Sequence, residues 1–419
     1  MPFRFAAFAV LAVIALVPVV NAGEIPDAKP EEVGMSSSGL GKIDSVMNGL
    51  IKDSKLAGGT IIVAKDGHVV HFKSYGVKDL KSQGAMTNDT IHRIYSMSKA
   101  ITSAAIMILV DDGKVELDAP ASKYIDGFQN LRVHKDGKSV KPAREMSVRD
   151  LLRHTSGLTY GNRSDSPVDK HYKAKNALNR NEDLEAMCNK LATIPLEYDP
   201  GKGWMYSCSI DVLGRIVEVA SEQKFDQFLN KRIFEPLDMK DTGFFVPANK
   251  LNRLATCYNS DGKGKLTLRD PGTAESRFAK NPAWLSGGGG LMSTGRDYLR
   301  FLMMVANGGK LGDVRVLSKK ATEQMTKNQL PKEAGWVRFG DQVREGVGFG
   351  LGFSVRVHSS HWDPQGRVGE YGWGGAASTH YWISPKDNLI VVTLEQTRPF
   401  TFLAEFALKG LIYDSILEK

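Results

Sequence analysis

Ser96 and Lys99 stand three residues apart in IYSMSKAITSAAIMILV, residues 94–110. In a helix, positions three apart share a face, about 60° apart around the axis, so Ser96 and Lys99 become neighbours while Ser98 points elsewhere. A serine hydroxyl is a poor nucleophile until a base takes its proton. A lysine in surroundings that disfavour its charged form can be that base. Ala100, Ile101, Ala104, Ala105, Ile106, Ile108 and Leu109 make the run apolar nearly all round, which predicts a buried helix. Ser96 would sit at its N-terminus, where free backbone N–H groups stabilise an oxyanion. The spacing also describes a serine that caps a helix beside a lysine reaching for water, so it needs partners to carry meaning.

Two further stretches supply them. DPGKGWMYSCSIDVLGRIVEVAS puts Tyr206 where a loop enters a periodic helix marked by Val212, Leu213, Ile216, Val217 and Val219. A tyrosine near a lysine can share its proton as general base or relay. EYGWGGAASTHYWISP puts Trp373, Gly374 and Gly375 at the opening of a strand. Glycines there let a substrate lie against the backbone, and the N–H of Ala376 can join that of Ser96 as a second oxyanion donor. Taken singly, these are a packed ring with one hydrogen bond and a glycine bend beside an aromatic.

The elements that must position these groups are legible at both ends of the chain. Leu40, Ile43, Met47, Leu50 and Ile51 give residues 36–51 a helical face. GTIIVAKDGHVVHFKSYGV is two β-branched runs around Asp66-Gly67, a hairpin signal. THYWISPKDNLIVVTLEQ repeats the pattern around Pro385 to Asn388, and a last helix follows with Phe402, Phe406, Leu408 and Ile412 on or near one face. Helical segments and long loops fill the middle. The reading is α+β: an antiparallel sheet formed from both termini, flanked by helices, with a mostly helical inserted domain. The expected boundaries are 1–22 for a signal peptide, 23–110 with 286–419 for the sheet domain, and 111–285 for the insertion.

Of the 419 residues, 42% are hydrophobic and 24% charged, an ordinary globular balance. The formal charge of +8 is spread along the chain without a basic block, which argues against nucleic acid as a partner. Arg4, an apolar core from Phe5 to Val20, and Val20-Asn21-Ala22 fit a secretory signal cleaved after Ala22. The expected location is therefore periplasmic or extracellular, with no stable membrane insertion after cleavage. Cys188, Cys208 and Cys257 match no zinc spacing, and three thiols exclude a disulfide-built scaffold.

Ser96-x-x-Lys99, then Tyr206-Ser207, then Trp373-Gly374-Gly375, in this order and at these separations, resembles the serine β-lactamase and penicillin-binding-protein-like hydrolases of the class C-like type, closest to the family VIII carboxylesterases. MSVRDLLRHTSGLTYG and SGGGGLMSTGRDYLRFLMMVANGG are similar to further family segments, and the likeness runs from about Pro30 to the C-terminus. It implies the β-lactamase/transpeptidase-like fold. It implies Ser96 as the acylated nucleophile, Lys99 with Tyr206 as the base system, Trp373 and its strand as the pocket edge, and the N–H groups of Ser96 and Ala376 as oxyanion hole. His154 and Gly287 to Gly290 are structural under this resemblance. It implies no metal and no organic cofactor.

This sequence departs from the β-lactamase pattern at two places. Cys208 stands where an asparagine is usual, and Trp373 where a lysine opens the third motif. Losing the lysine removes a cation for a substrate carboxylate, and losing the amide removes a donor–acceptor pair for a side-chain amide. Both changes favour neutral acyl groups such as esters over β-lactams or D-Ala-D-Ala peptides. A peptidase or amidase, a β-lactamase or DD-peptidase, and a slowly acylated penicillin-binding-like sensor are the alternatives. A metal hydrolase on His358, His361 and Asp363 is a weaker one, and no G-x-S-x-G elbow supports an α/β-hydrolase. Substrate choice is expected to sit in the loops around 162–175 and 330–347.

Overall fold

Asp66 and Gly67 both adopt positive φ, 49° and 82°, and turn the chain between strands β1 (Gly58–Lys65) and β2 (His68–Asp79), as the Asp-Gly pair predicts. The computed structural model describes residues 22–417, so the signal-sequence expectation lies outside the described residues. The main sheet continues with β3 (Gly84–Ala85), β4 (Val347–Phe349), β5 (Ser354–Arg356), β6 (Tyr371–Gly375), β7 (Thr379–Ser384) and β8 (Leu389–Glu395). These eight strands lie in the order β4-β5-β6-β7-β8-β1-β2-β3, every neighbour antiparallel. The two ends of the chain meet at its centre, where β1 pairs β8 from Gly59↔Glu395 to Lys65↔Leu389.

Both faces of this sheet are covered, which is why β1 and β8 are buried at every position. Ile61, Val63, Trp382, Leu389 and Val391 pack against helices α1 (Ser37–Lys52) and α5 (Leu403–Asp414). Their neighbours in sequence, Ile62, Ala64, Tyr381, Ile390 and Val392, face the larger core built around α2 (Ser98–Asp111). The period of two in the strands is thus satisfied twice over. Ser36 caps α1 by accepting the Gly39 N–H at 3.0 Å, and Leu40, Ile43 and Met47 form its buried stripe.

The chain between β3 and β4 carries α2, then a run of short helices including α3 (Ser209–Ser221), then α4 (Gly295–Ala306). Helix α2 packs against α3 and is buried from Ser98 through Leu109, so its all-round apolar surface has somewhere to go. Two parts of residues 111–285 are strand rather than helix, the first a short hairpin of Val133–Lys135 with Lys138–Val140. Cys257–Ser260 and Leu266–Asp270 form a hairpin that pairs with Thr397–Arg398, a three-stranded sheet that the helical reading of 111–285 did not include. The alternation of Leu266 and Leu268 with polar residues was its signal, too short to stand out. Cys188, Cys208 and Cys257 are buried free thiols. No helix among the described residues is long and apolar enough to cross a membrane.

The last helix departs from its expected apolar face. Phe402 precedes it and Phe406 is only part-buried, whereas Glu405 and Lys409 are buried with Leu408 and Ile412. Lys409 Nζ reaches Asp363 and Glu370 at 2.8 Å and Glu405 at 2.9 Å. Burial pushes the Glu405 carboxyl up, but Lys409 and His380 more than offset it and hold the group at about 2. Replacing Lys409 by Met leaves three buried carboxylates without their shared cation and should cost about 3–5 kcal/mol of unfolding free energy, read by urea denaturation at neutral pH. A group held below its unfolded value stabilises above that value, about 4.3 for Glu, and the contribution is lost as pH falls through about 2. Lys409→Met should therefore unfold at a higher pH than the parent in an acid titration; equal midpoints would remove Lys409 from this role.

Candidate active site

Ser96 lies one turn ahead of the helix proper, in the 3-10 turn Tyr95–Met97 that leads into α2. Tyr95 holds φ at +41°, a left-handed value that costs a tyrosine of order 1–3 kcal/mol unless its surroundings impose it. They do so from both sides. Upstream, buried Arg93 donates to Asp270, to the Pro271 carbonyl at 2.9 Å and to Ser276 Oγ at 3.1 Å, and its backbone N–H donates to Gln396 Oε1 at 3.1 Å. Downstream, Ser98 Oγ accepts the Leu291 N–H at 3.1 Å. Ser98 is thus a tie to the glycine run, and Ser96, part-exposed, is the hydroxyl turned towards solvent space.

Lys99 is fully buried and donates to the Gly288 carbonyl at 2.6 Å and to Ser96 Oγ at 3.3 Å. Its Nζ lies 4.5 Å from the centre of the Tyr206 ring and 5.7 Å from that of Tyr160. Tyr206 Oη accepts the Trp373 indole N–H at 3.3 Å, which fills one acceptor position and leaves the phenol's own proton to be directed elsewhere. His154, itself at φ +60°, packs its ring 4.9 Å from that of Tyr206, and burial first and Lys99 second hold its pKa well below the ordinary imidazole value. It is a neutral support behind the phenol.

Helix α3 supplies a group that sequence reading passed over. Asp211 is buried and accepts from Ser286 Oγ at 2.5 Å and from the Gly288 N–H at 3.1 Å. Burial raises its pKa, and Ser286 and Lys99 act against that. Gly288 therefore joins Asp211 through its N–H and Lys99 through its carbonyl, so the glycine run fixes where the amine sits. The signal was a lone acid inside the apolar stretch SIDVLGRIV.

Ser96, Tyr206, Trp373, Gly374 and Ala376 line one cavity of about 510 Å3, within the size range of small-molecule sites. Phe339, Arg344 and Val347 come to it from the 330–347 loop, whereas nothing from 162–175 lines it. Two expected positions lie elsewhere. Cys208 is fully buried at the cap of α3, with its thiol against the Tyr172 hydroxyl, and is absent from the cavity wall. Gly375 ends β6, whose middle rather than opening holds Trp373, and backs onto the turn that carries Ser96. Asp363, expected as a possible metal ligand with His358 and His361, is instead held by Arg356 at 2.7 Å and Lys409 at 2.8 Å. Among the described residues no three His, Cys, Asp or Glu side chains gather as a metal site.

An antiparallel sheet built from both termini, split by a helical insertion and bearing a serine and lysine at the head of a buried helix, is the β-lactamase/transpeptidase-like fold of serine hydrolases. The chain belongs to the Beta-lactamase family, whose sequence model matches residues 43–410. It is 34% identical over 353 residues to Protein Rv1367c of Mycobacterium tuberculosis (strain ATCC 25618 / H37Rv), covering 82% of this chain and 86% of that one. It is 29% identical over 375 residues to Esterase EstB of Burkholderia gladioli, covering 85% and 90%. The solved structure of EstCE1, a hydrolase with promiscuous acyltransferase activity, superposes with a TM-score of 0.76 at 25% identity, covering 90% of this chain and 98% of that one. The protein is an enzyme, a serine hydrolase of this fold.

The approach of β6 to the serine turn generates a test. A Cβ on Gly375 would meet the Ile94 carbonyl oxygen and Thr379 Oγ1, each at 2.3 Å. Gly375→Ala should displace the turn and lower turnover of p-nitrophenyl butyrate by about a hundredfold for a shift near 1 Å, with the helical circular-dichroism signal retained. An unchanged kcat would mean that the strand does not position the serine.

Proposed function

We propose that this enzyme is exported and cleaves carboxylic esters through an acyl-enzyme on Ser96. The observation that carries this reading is that Tyr206, from a distant segment, meets the Ser96 and Lys99 pair, with Ser96 and Tyr206 lining one cavity and Lys99 buried behind them. Ser96 attacks the ester carbonyl while the Lys99–Tyr206 system takes its proton; with the amine neutral, the 3.3 Å contact runs from the serine hydroxyl to the amine. The N–H groups of Ser96 and Ala376 receive the oxyanion, the alcohol leaves with the relayed proton, and water then attacks the acyl-enzyme. No step calls for a metal or an organic cofactor.

Two features support esters over β-lactams or peptides. Trp373 holds the strand position where a lysine would attract a carboxylate, and residue 208 presents no amide to the cavity. The names of relatives such as Esterase EstB point the same way. Export follows from the N-terminal pattern, and the exported protein should begin at Gly23 by N-terminal sequencing.

The decisive experiment compares short p-nitrophenyl esters, a chromogenic cephalosporin and a D-alanyl peptide, with Ser96→Ala as control. The esters should lead in kcat/KM, and Ser96→Ala should lose the acyl adduct seen by mass spectrometry along with turnover. A cephalosporin or peptide ahead of every ester by about tenfold, ~1.4 kcal/mol, would reverse the substrate preference. Full turnover by Ser96→Ala would move the nucleophile elsewhere.

A further inference from the structure

The cavity that Ser96 opens onto holds, on its wall, a cation the reaction does not use. Arg344 comes from the 330–347 loop, and its guanidinium carbon lies 4.3 Å from the Trp362 ring centre, 4.5 Å from that of Phe339 and 5.0 Å from that of Phe402. Aromatic packing of this kind fixes the guanidinium while leaving its in-plane N–H donors for another partner. Its charged neighbours are engaged with one another. Asp363 binds Arg356 and Lys409, Glu370 binds Lys409, and Glu405 binds Lys409 and His380. Among the described residues no carboxylate is in ion-pair contact with Arg344. Burial lowers its pKa to about 10, against the pull of Glu405, so it is charged at neutral pH.

A second arginine faces the same space. Arg356 also lines the cavity, lies 5.9 Å from the same Trp362 ring, and is 5% exposed. Its Nη2 is spent on Asp363, while its buried Nη1 has no hydrogen-bond partner among the described residues. A buried donor left unpaired is costly, and an arriving acceptor recovers that cost. The wall is continuous with the reactive end, because Phe339 packs 5.5 Å from the Tyr206 ring and 6.1 Å from that of Trp373.

We propose that the substrate is an ester that also bears a free carboxylate, received by Arg344 with Arg356 behind it while Ser96 attacks the ester bond elsewhere in the molecule. This rests on the ester-cleaving reading above. A planar, two-oxygen anion matches the guanidinium edge, which an uncharged acyl chain cannot. The carboxylate can sit on the acyl or on the alcohol side of the scissile bond, and the two are told apart by matched pairs.

The acyl-side pair is the p-nitrophenyl monoester of adipic acid against p-nitrophenyl hexanoate; the alcohol-side pair is 3-butyryloxybenzoate against 3-butyryloxybenzamide. In at least one pair the parent should favour the anionic member by about tenfold or more in kcat/KM, mainly through KM, and added salt should shrink the ratio. Arg344→Gln should bring that ratio close to one and Arg344→Lys should keep part of it; because the ratio is internal, a lower folded fraction does not move it. Parent ratios near one, or a ratio unchanged in Arg344→Gln, overturn the proposal and leave Arg344 as a brace for the ring wall. Calorimetry separates this from failure of the ester reading. Adipic acid monoanilide should bind the parent about tenfold more tightly than hexananilide does if the carboxylate sits on the acyl side, and 3-butyramidobenzoate about tenfold more tightly than 3-butyramidobenzamide if it sits on the alcohol side, the advantage being lost in Arg344→Gln even if no ester is turned over. Equal binding within both amide pairs also overturns it.

Discussion

A lysine with no exposed surface must be given partners, and the partners given to Lys99 organise the site. Its amine is fixed by the Gly288 carbonyl, touches Ser96 Oγ and lies over the Tyr206 ring. Those groups come from three distant segments, so the amine's position states how α2, α3 and the glycine run must pack. Asp211 stands behind the arrangement, since it holds the N–H of the same glycine whose carbonyl holds the amine. Moving any one of these moves the lysine.

The turn that carries Ser96 is strained and the sheet beside it is not. Tyr95 keeps its left-handed backbone because Arg93, Gln396 and Ser98 tie the chain on both sides. Gln396 follows the last residue of β8, the strand that pairs with β1 at the centre of the sheet. Central pairing of the two chain ends thus reaches the turn that carries Ser96 within a few bonds. A rigid, doubly covered sheet can hold a conformation that a loop alone would relax.

At the far end of the cavity the design is electrostatic. The buried charges on and around α5 satisfy one another almost completely, with Lys409 shared among three carboxylates. Among the described residues Arg344, pinned by aromatic rings rather than by an acid, departs from that balance, as does buried Glu395, whose carboxyl has no hydrogen-bond partner. The fold is common to hydrolases of many kinds, so function is argued from the site set against that scaffold.

The hairpin at Asp66-Gly67, the buried helix after Ser96, and the Ser96, Lys99, Tyr206 and Trp373 motifs were all legible in the sequence, because each is written in local spacing. The sheet was legible as two terminal hairpins with matching apolar patterns. Cys208 and Gly375 do not line the cavity, since a motif tells which residues are near a site but not which way each side chain turns. Asp211 left only the signal of an acid in an apolar stretch, and Arg93 and Arg344 left none, because nothing in a neighbouring residue announces a partner far along the chain. Local propensity and periodicity determined by themselves which segments form helix and strand, and the order of the motifs, through the resemblance it carries, named the candidate side chains. Only the tertiary structure decided which carbonyl holds the lysine, which ring holds the tyrosine and which cation goes unpaired, because those depend on contacts between segments that packing alone brings together.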